Sequence, residues 1–347
     1  MSDSLFEREG AIFMGARRDP TGCRVGLFGV PYDGTTSFRP GTRFGPAGIR
    51  EVSGGLETYD PQLDRDLEDL AYADLGAVAI PFGAPEPVVA AVRQATAAVM
   101  ELGLAPLMLG GEHSISSGAV AAVAARHRDL VLVQLDAHAD LRDEWLGARH
   151  SHACAMRRCL EALPGGTLLQ IAIRSGTREE FRELRSGNRL VAIERMAEAL
   201  LPLRGRPLYL TVDLDWFDPA VLPGTGTPEP GGFHWADFAC LVEELRHHRL
   251  VAADVVELAP QLDLSGVSAV LAAKVTRSLL MLLGQLQQLP VARCSRRRSC
   301  CWPRSSRARV GWLWSRPRNW RRSSRSTSTG VRARASPQWS PSRQTMS

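Results

Sequence analysis

No stretch of this chain approaches the roughly 18 apolar residues a membrane-spanning helix requires. The first residues, Met1 to Phe13, alternate acidic, basic and apolar side chains and lack the apolar core of a signal peptide. Cysteine is sparse, with seven in 347 residues, and none is spaced as a CxxC pair. Three of them (Cys294, Cys300, Cys301) fall after residue 290, and Cys23, Cys154, Cys159 and Cys240 read as reduced thiols. A soluble, cytoplasmic protein is therefore expected. Acidic residues and lysine are missing altogether from Val291 to Ser347, a stretch holding 15 of the 42 basic residues as arginine. The first 290 residues keep the other 27 against all 37 acidic groups, a net charge of −10. The positive charge of the whole chain belongs to its tail. Nucleic acid is accordingly not an expected partner of the body, because an electrostatic footprint belongs on a folded face.

What remains is patterned. Eight short apolar runs, Arg24–Val30, Leu70–Leu75, Ala105–Leu109, Leu130–Leu135, Leu168–Ile173, Leu190–Ile193, Leu208–Val212 and Val251–Val256, show little polar alternation. Such runs suit strands buried on both faces. Between them, Glu86–Leu102, Ser116–His127, Ala153–Leu163, Arg178–Arg185, Trp235–His247 and Val267–Leu286 have helical spacing. The alternation predicts one α/β domain over 1–290 with a mostly parallel sheet. The tail, 291–347, carries five of the eight Trp, arginine clusters and no apolar period. A nucleic-acid-binding arm, a solvated extension and the product of a shifted reading frame all fit it, and the abrupt change of composition favours the last.

Chemistry-bearing residues gather where apolar runs end. Leu109-Gly110-Gly111-Glu112-His113 places a histidine after a glycine turn. Leu135-Asp136-Ala137-His138-Ala139-Asp140 places three candidate ligands at i, i+2 and i+4, on one side of an extended chain. Val212-Asp213-Leu214-Asp215 repeats that spacing with two carboxylates. In a parallel sheet these ends share one edge, where ligands of open α/β folds bind. Four carboxylates and two imidazoles in one crevice repel unless cations neutralise them. Six ligands exceed the needs of one ion but serve two when carboxylates are shared. The oxygen-rich set suits Mn²⁺.

GGEHS around His113, DAHAD from Asp136 to Asp140 and DLDWFDP from Asp213 resemble the metal signatures of the arginase/agmatinase (ureohydrolase) family. Phe38–Arg50 and Pro223–Gly232 are similar to further family segments, and the resemblance runs from about Val25 to Leu286. It implies a three-layer α/β sandwich around an eight-stranded, mostly parallel sheet. It implies two Mn²⁺ per subunit, with Asp136 and Asp213 shared, His113 and Asp140 on one ion and His138 and Asp215 on the other. It also implies a homotrimer or homohexamer.

On this reading Asp140 shuttles a proton and Glu257 pairs with the guanidinium of a small substrate. His152 assists proton transfer or substrate binding, with His150 beside it as a competitor for that role. Arg149-His150-Ser151-His152-Ala153 lacks the Asn-x-His-Gly loop of arginases, and the following Met156-Arg157-Arg158 is similar to bacterial agmatinases. Agmatine is thus the leading substrate, ahead of guanidinobutyrate, guanidinopropionate, arginine and formiminoglutamate. The rival classes are a single-zinc deacylase, a non-catalytic homologue and a nucleic-acid-binding tail.

Overall fold

The computed structural model describes residues 5–285 apart from 9, 164 and 166. The expected tail, 291–347, lies outside the described residues. All eight apolar runs form strands of one parallel array: β2 (Val25–Val30), β5 (Tyr72–Val78), β6 (Ala105–Gly110), β7 (Val131–Leu135), β8 (Leu168–Ile171), β9 (Leu190–Val191), β10 (Pro207–Asp213) and β11 (Arg249–Val256). The sheet nevertheless has nine strands, not eight. A two-residue strand β1 (Phe6–Glu7) adds antiparallel to β5, giving the order β1-β5-β2-β6-β11-β10-β7-β8-β9. Two residues carry no readable periodicity, which is why the pattern missed it. A separate hairpin pairs β3 (Tyr59–Asp60) with β4 (Arg65–Asp66).

Three layers follow from the two cores. Side chains alternate across a strand, so Leu107 and Leu109 of β6 join one apolar cluster while Met108 joins the other. Val131, Val133 and Leu135 of β7 divide from Leu132 in the same way. One face is covered by α1 (Gly45–Ser53), α6 (Met196–Leu200), α7 (Trp235–Leu245) and α8 (Val267–Leu283). The other is covered by α2 (Pro85–Glu101), α3 (Ser116–Arg126), α4 (Ala155–Ala162) and α5 (Arg178–Ser186). The buried Val88, Val92, Ala95 and Val99 show how α2 does so, with an apolar stripe at helical spacing.

Helix α1 had no helical signature in the sequence. It opens Gly-Pro, and proline at the first turn loses no intrahelical bond because its missing N–H would be an orphan there. Its Arg50 grips Asp74 of β5 through two contacts of 2.8 Å, both side chains being buried. The same carboxylate accepts the backbone N–H of Phe13 at 3.0 Å. At the start of helix α8, Asp263 accepts from Ser268 N at 2.8 Å and from Ser265 Oγ. Among the described residues no helix is long and apolar enough to cross a membrane.

Candidate metal centre

Strands β6, β11, β10 and β7 are neighbours at the middle of the sheet and all parallel, so their C-terminal ends share one edge. His113, Glu257, Asp213 and Asp136 stand there in that order. The turn after β6 depends on Gly111, where a Cβ would lie 1.8 Å from the backbone oxygen of Tyr32. No side chain fits. The other two groups converge differently from the expected extended spacing. Asp140 has a left-handed backbone (φ 53°), so a turn rather than strand alternation brings it in. Asp215 lies in the 3₁₀ turn Leu214–Trp216, tied by its N–H to Asp213 Oδ1 at 2.9 Å. Glu257 also has positive φ (68°). Non-glycine residues in this region cost about 1–3 kcal/mol each and persist where the surroundings over-determine them.

All six predicted ligands meet. His113 Nδ1 lies 3.0 Å from Asp136, 3.2 Å from Asp140 and 3.3 Å from Asp213. His138 Nδ1 lies 2.9 Å from Asp215 and 3.6 Å from the other oxygen of Asp136. Two overlapping groups, His113–Asp136–Asp140 and Asp136–His138–Asp215, have ligand atoms close enough for one ion each and share Asp136. Further contacts hold the carboxylates still. Gln134 donates to Asp136 at 2.6 Å and is itself held by Gln170 at 2.6 Å. Asp215 accepts Ala137 N at 3.0 Å.

The electrostatics call for cations. Burial pushes the carboxyl of Asp213 well above its ordinary range, and Asp215 and Asp136 add to the push. Burial and the charge of Asp136 raise Asp140 to about 7. Burial opposes charge on His113 and His138 as well, yet the surrounding carboxylates overcome it and raise both. Asp136 is held below its usual range because contacts with both histidines outweigh its burial. Without cations the site relieves its repulsion by taking up protons. One atom tests the fit of a cation: His113 Nδ1 is buried and makes no hydrogen bond of acceptable geometry, although three carboxylates surround it. A lone pair facing anionic oxygens is repulsive unless a cation lies between, so the donor set fits metal ions.

Four of the six, His113, His138, Asp140 and Asp213, border a cleft of about 270 Å³ that His152, Glu257, Ser37, Arg142 and Trp145 also line. Glu257 is buried and accepts His113 N–H at 2.6 Å. Its carboxyl is pushed well up by burial and by the charge of Glu112. His152, not His150, lines the cleft. Its Nε2 is 3.2 Å from Ser37 Oγ and its backbone N–H donates to Thr35 at 3.1 Å. Burial lowers its pKa. Sequence reasoning passed over Glu112, which accepts from Thr35 and Ser114 and ties the loop carrying Ser37 to the floor of the site. It also passed over Thr211 and Asp254 behind His113. An acid inside an apolar run was the available signal for Asp254.

The arginase family profile matches residues 23–282. The chain belongs to the arginase family. The agmatinase of Bacillus subtilis (strain 168) is 37% identical over 278 residues, covering 78% of this chain and 96% of the relative. The mitochondrial guanidino acid hydrolase of Homo sapiens is 35% identical, covering 76% and 79%. The crystal structure of the agmatine ureohydrolase of Thermoplasma volcanium is 34% identical with a TM-score of 0.67, covering 75% and 90%. As an arginase-family ureohydrolase similar to bacterial agmatinases, the chain is a hydrolase of C–N bonds in linear amidines.

Proposed function

We propose that this ureohydrolase cleaves agmatine to urea and putrescine at two Mn²⁺ ions held by His113, Asp136, His138, Asp140, Asp213 and Asp215. The observation that carries the reading is the double contact of Asp136, whose two oxygens face the two histidines at 3.0 and 3.6 Å. One carboxylate thus serves two cation positions. His113 and Asp140 complete one, His138 and Asp215 the other, with Asp213 shared. When bound, the ions supply a nucleophile at neutral pH by lowering the pKa of water from about 15.7 to about 7.

The chain's own residues do the remaining work. Glu257 has one oxygen engaged by His113 N–H and the other free for a guanidinium, whose positive charge favours the ionised carboxylate despite burial. Asp140, beside the shared ligands, carries a proton to the chain nitrogen as its bond to the guanidinium carbon breaks. His152, at the cleft wall, relays protons or steadies the substrate. A guanidino acid is the second reading, favoured by Arg142, whose guanidinium lies 4.0 Å over the Trp145 ring and lines the same cleft.

Urea release by Mn²⁺-loaded protein is to be measured on agmatine, guanidinobutyrate, guanidinopropionate, arginine and formiminoglutamate, with formamide followed in parallel. Agmatine turning over fastest supports the reading, and a guanidino acid leading moves the assignment to the second. Binding of a single ion, or an Asp140→Asn variant with undiminished urea release, overturns it. A loss of about a hundred- to ten-thousandfold is expected for that variant. A cytoplasmic location is consistent with the free thiols of the buried Cys154 and Cys159. A homotrimer or homohexamer is the assembly to test by light scattering.

A further inference from the structure

Behind His113 the sheet interior holds an acid that the chemistry above does not use. Asp254 is fully buried in β11, between Ala253 and Val255, and among the described residues no cation contacts it. It accepts Tyr209 Oη at 2.6 Å and Thr211 Oγ1 at 2.5 Å. Thr211 and Asp254 are register partners across the parallel β10–β11 ladder. Tyr209, Thr211 and Asp213 alternate along β10 and so share one face. The row of polar groups climbs that face to a metal ligand.

A threonine hydroxyl has one proton. At 2.5 Å from an acceptor-only carboxylate, that proton is committed to Asp254. The 2.9 Å contact between Thr211 Oγ1 and His113 Nε2 must then be made with a proton from the ring. A neutral imidazole has only one N–H, so Nδ1 is left as a bare lone pair. That is the atom facing Asp136, Asp140 and Asp213. We propose that Thr211 and Asp254 are positioning residues that fix the tautomer and orientation of His113 and thereby set its affinity for one metal ion. The proposal rests on the two-metal reading. The relay runs from the Asp254 carboxylate through the Thr211 hydroxyl to His113 Nε2–H, and the anionic end makes the imidazole a stronger donor at Nδ1. Leaving a carboxylate within an apolar strand is costly unless it is hydrogen-bonded, and this role accounts for its position.

Equilibrium dialysis against Mn²⁺ counts the ions and their affinities in wild type, Thr211→Val, Thr211→Ser, Asp254→Asn and Tyr209→Phe, with thermal unfolding of each metal-free protein alongside. Thr211→Val keeps the side-chain shape and removes the hydroxyl. One ion is expected to bind about ten- to a hundredfold more weakly while the other binds as before. Thr211→Ser restores the first. Asp254→Asn keeps an acceptor and loses the charge, so it weakens the same ion and remains informative if Thr211→Val does not fold. Tyr209→Phe removes a hydrogen bond to the same carboxylate without breaking the relay and leaves both ions tight. Wild-type affinity for both ions in Asp254→Asn and in folded Thr211→Val overturns the proposal, as does equal weakening by Tyr209→Phe. A wild type that binds fewer than two ions overturns the two-metal reading itself, a result distinguishable before any variant is examined.

Discussion

Two ion pairs, one buried and one exposed, show how unequal single residues are in this fold. Arg50 and Asp74 are both out of water, and Asp74 also accepts Phe13 N, so the pair joins α1, β5 and the N-terminal segment. Removing one partner of such a pair leaves an uncompensated charge, at a cost of about 3–5 kcal/mol. Arg50→Met is expected to lower stability by that amount in denaturant unfolding, whereas Arg195→Met, at an exposed pair with Glu198, should change it by less than about 1 kcal/mol. Gly111→Ala is expected to be severe too, because its Cβ would collide with backbone rather than with a flexible side chain. Its checks are lower melting temperature and weaker metal binding, since His113 lies two residues on. The six ligand candidates were legible because His and Asp are conspicuous where apolar runs end. Thr211 and Arg50 were not. A threonine is ordinary strand composition, and nothing local marks an arginine whose partner lies 24 residues away.

At the scale of elements, the strands were the legible part. Burial on both faces leaves an uninterrupted apolar run, and all eight such runs proved to be strands. Short elements escaped for a physical reason: β1 has two residues, α6 has five, and α1 begins with Gly-Pro, so none displays a full hydrophobic period. Convergence of the ligands was expected from strand alternation but depends partly on turns, at Asp140 and Asp215, whose geometry spacing alone does not reveal. The start of α8 offers a test. Burial resists charge on Asp263, but hydrogen bonds from Ser265 and Ser268 outweigh it and hold its carboxyl at about 2, below the ordinary 3.8. A folded-state value below the unfolded one adds stability that is complete above the unfolded pKa and disappears as pH falls through the folded one. Asp263→Asn keeps an acceptor but loses the charge, so it should be less stable than wild type near neutrality. The gap should close as pH falls from about 4 to about 2. A constant gap across that range would show that the carboxylate charge is not what stabilises the helix start.

For the whole molecule, the proposed ligands come from the ends of β6, β7 and β10, so metal binding as proposed and global stability would be one equilibrium. Ions that bind only the folded chain stabilise it by about 2.7 kcal/mol per site at a hundred times the dissociation constant. Chelation is expected to lower the melting temperature accordingly, and Asp136→Ala to abolish most of the response because it removes the ligand proposed to be shared. The proposed ligands, Glu257 and His152 all lie within the described residues. Removing residues 291–347 is therefore expected to leave urea release intact, measured on the same substrate panel. Salt-sensitive nucleic-acid binding that vanished with that segment would instead support an arm.

The placement of the ligands also bears on the order of events along the folding path. His113, Asp136 and Asp213 come together only once strands far apart in sequence are paired at the centre of the sheet. Long-range parallel pairing is slow, and a cation pocket completed after the rate-limiting step cannot hasten it. Added Mn²⁺ should then leave the refolding limb of a chevron plot in place and depress the unfolding limb. On this account the ions lengthen the lifetime of the native state rather than speeding its arrival.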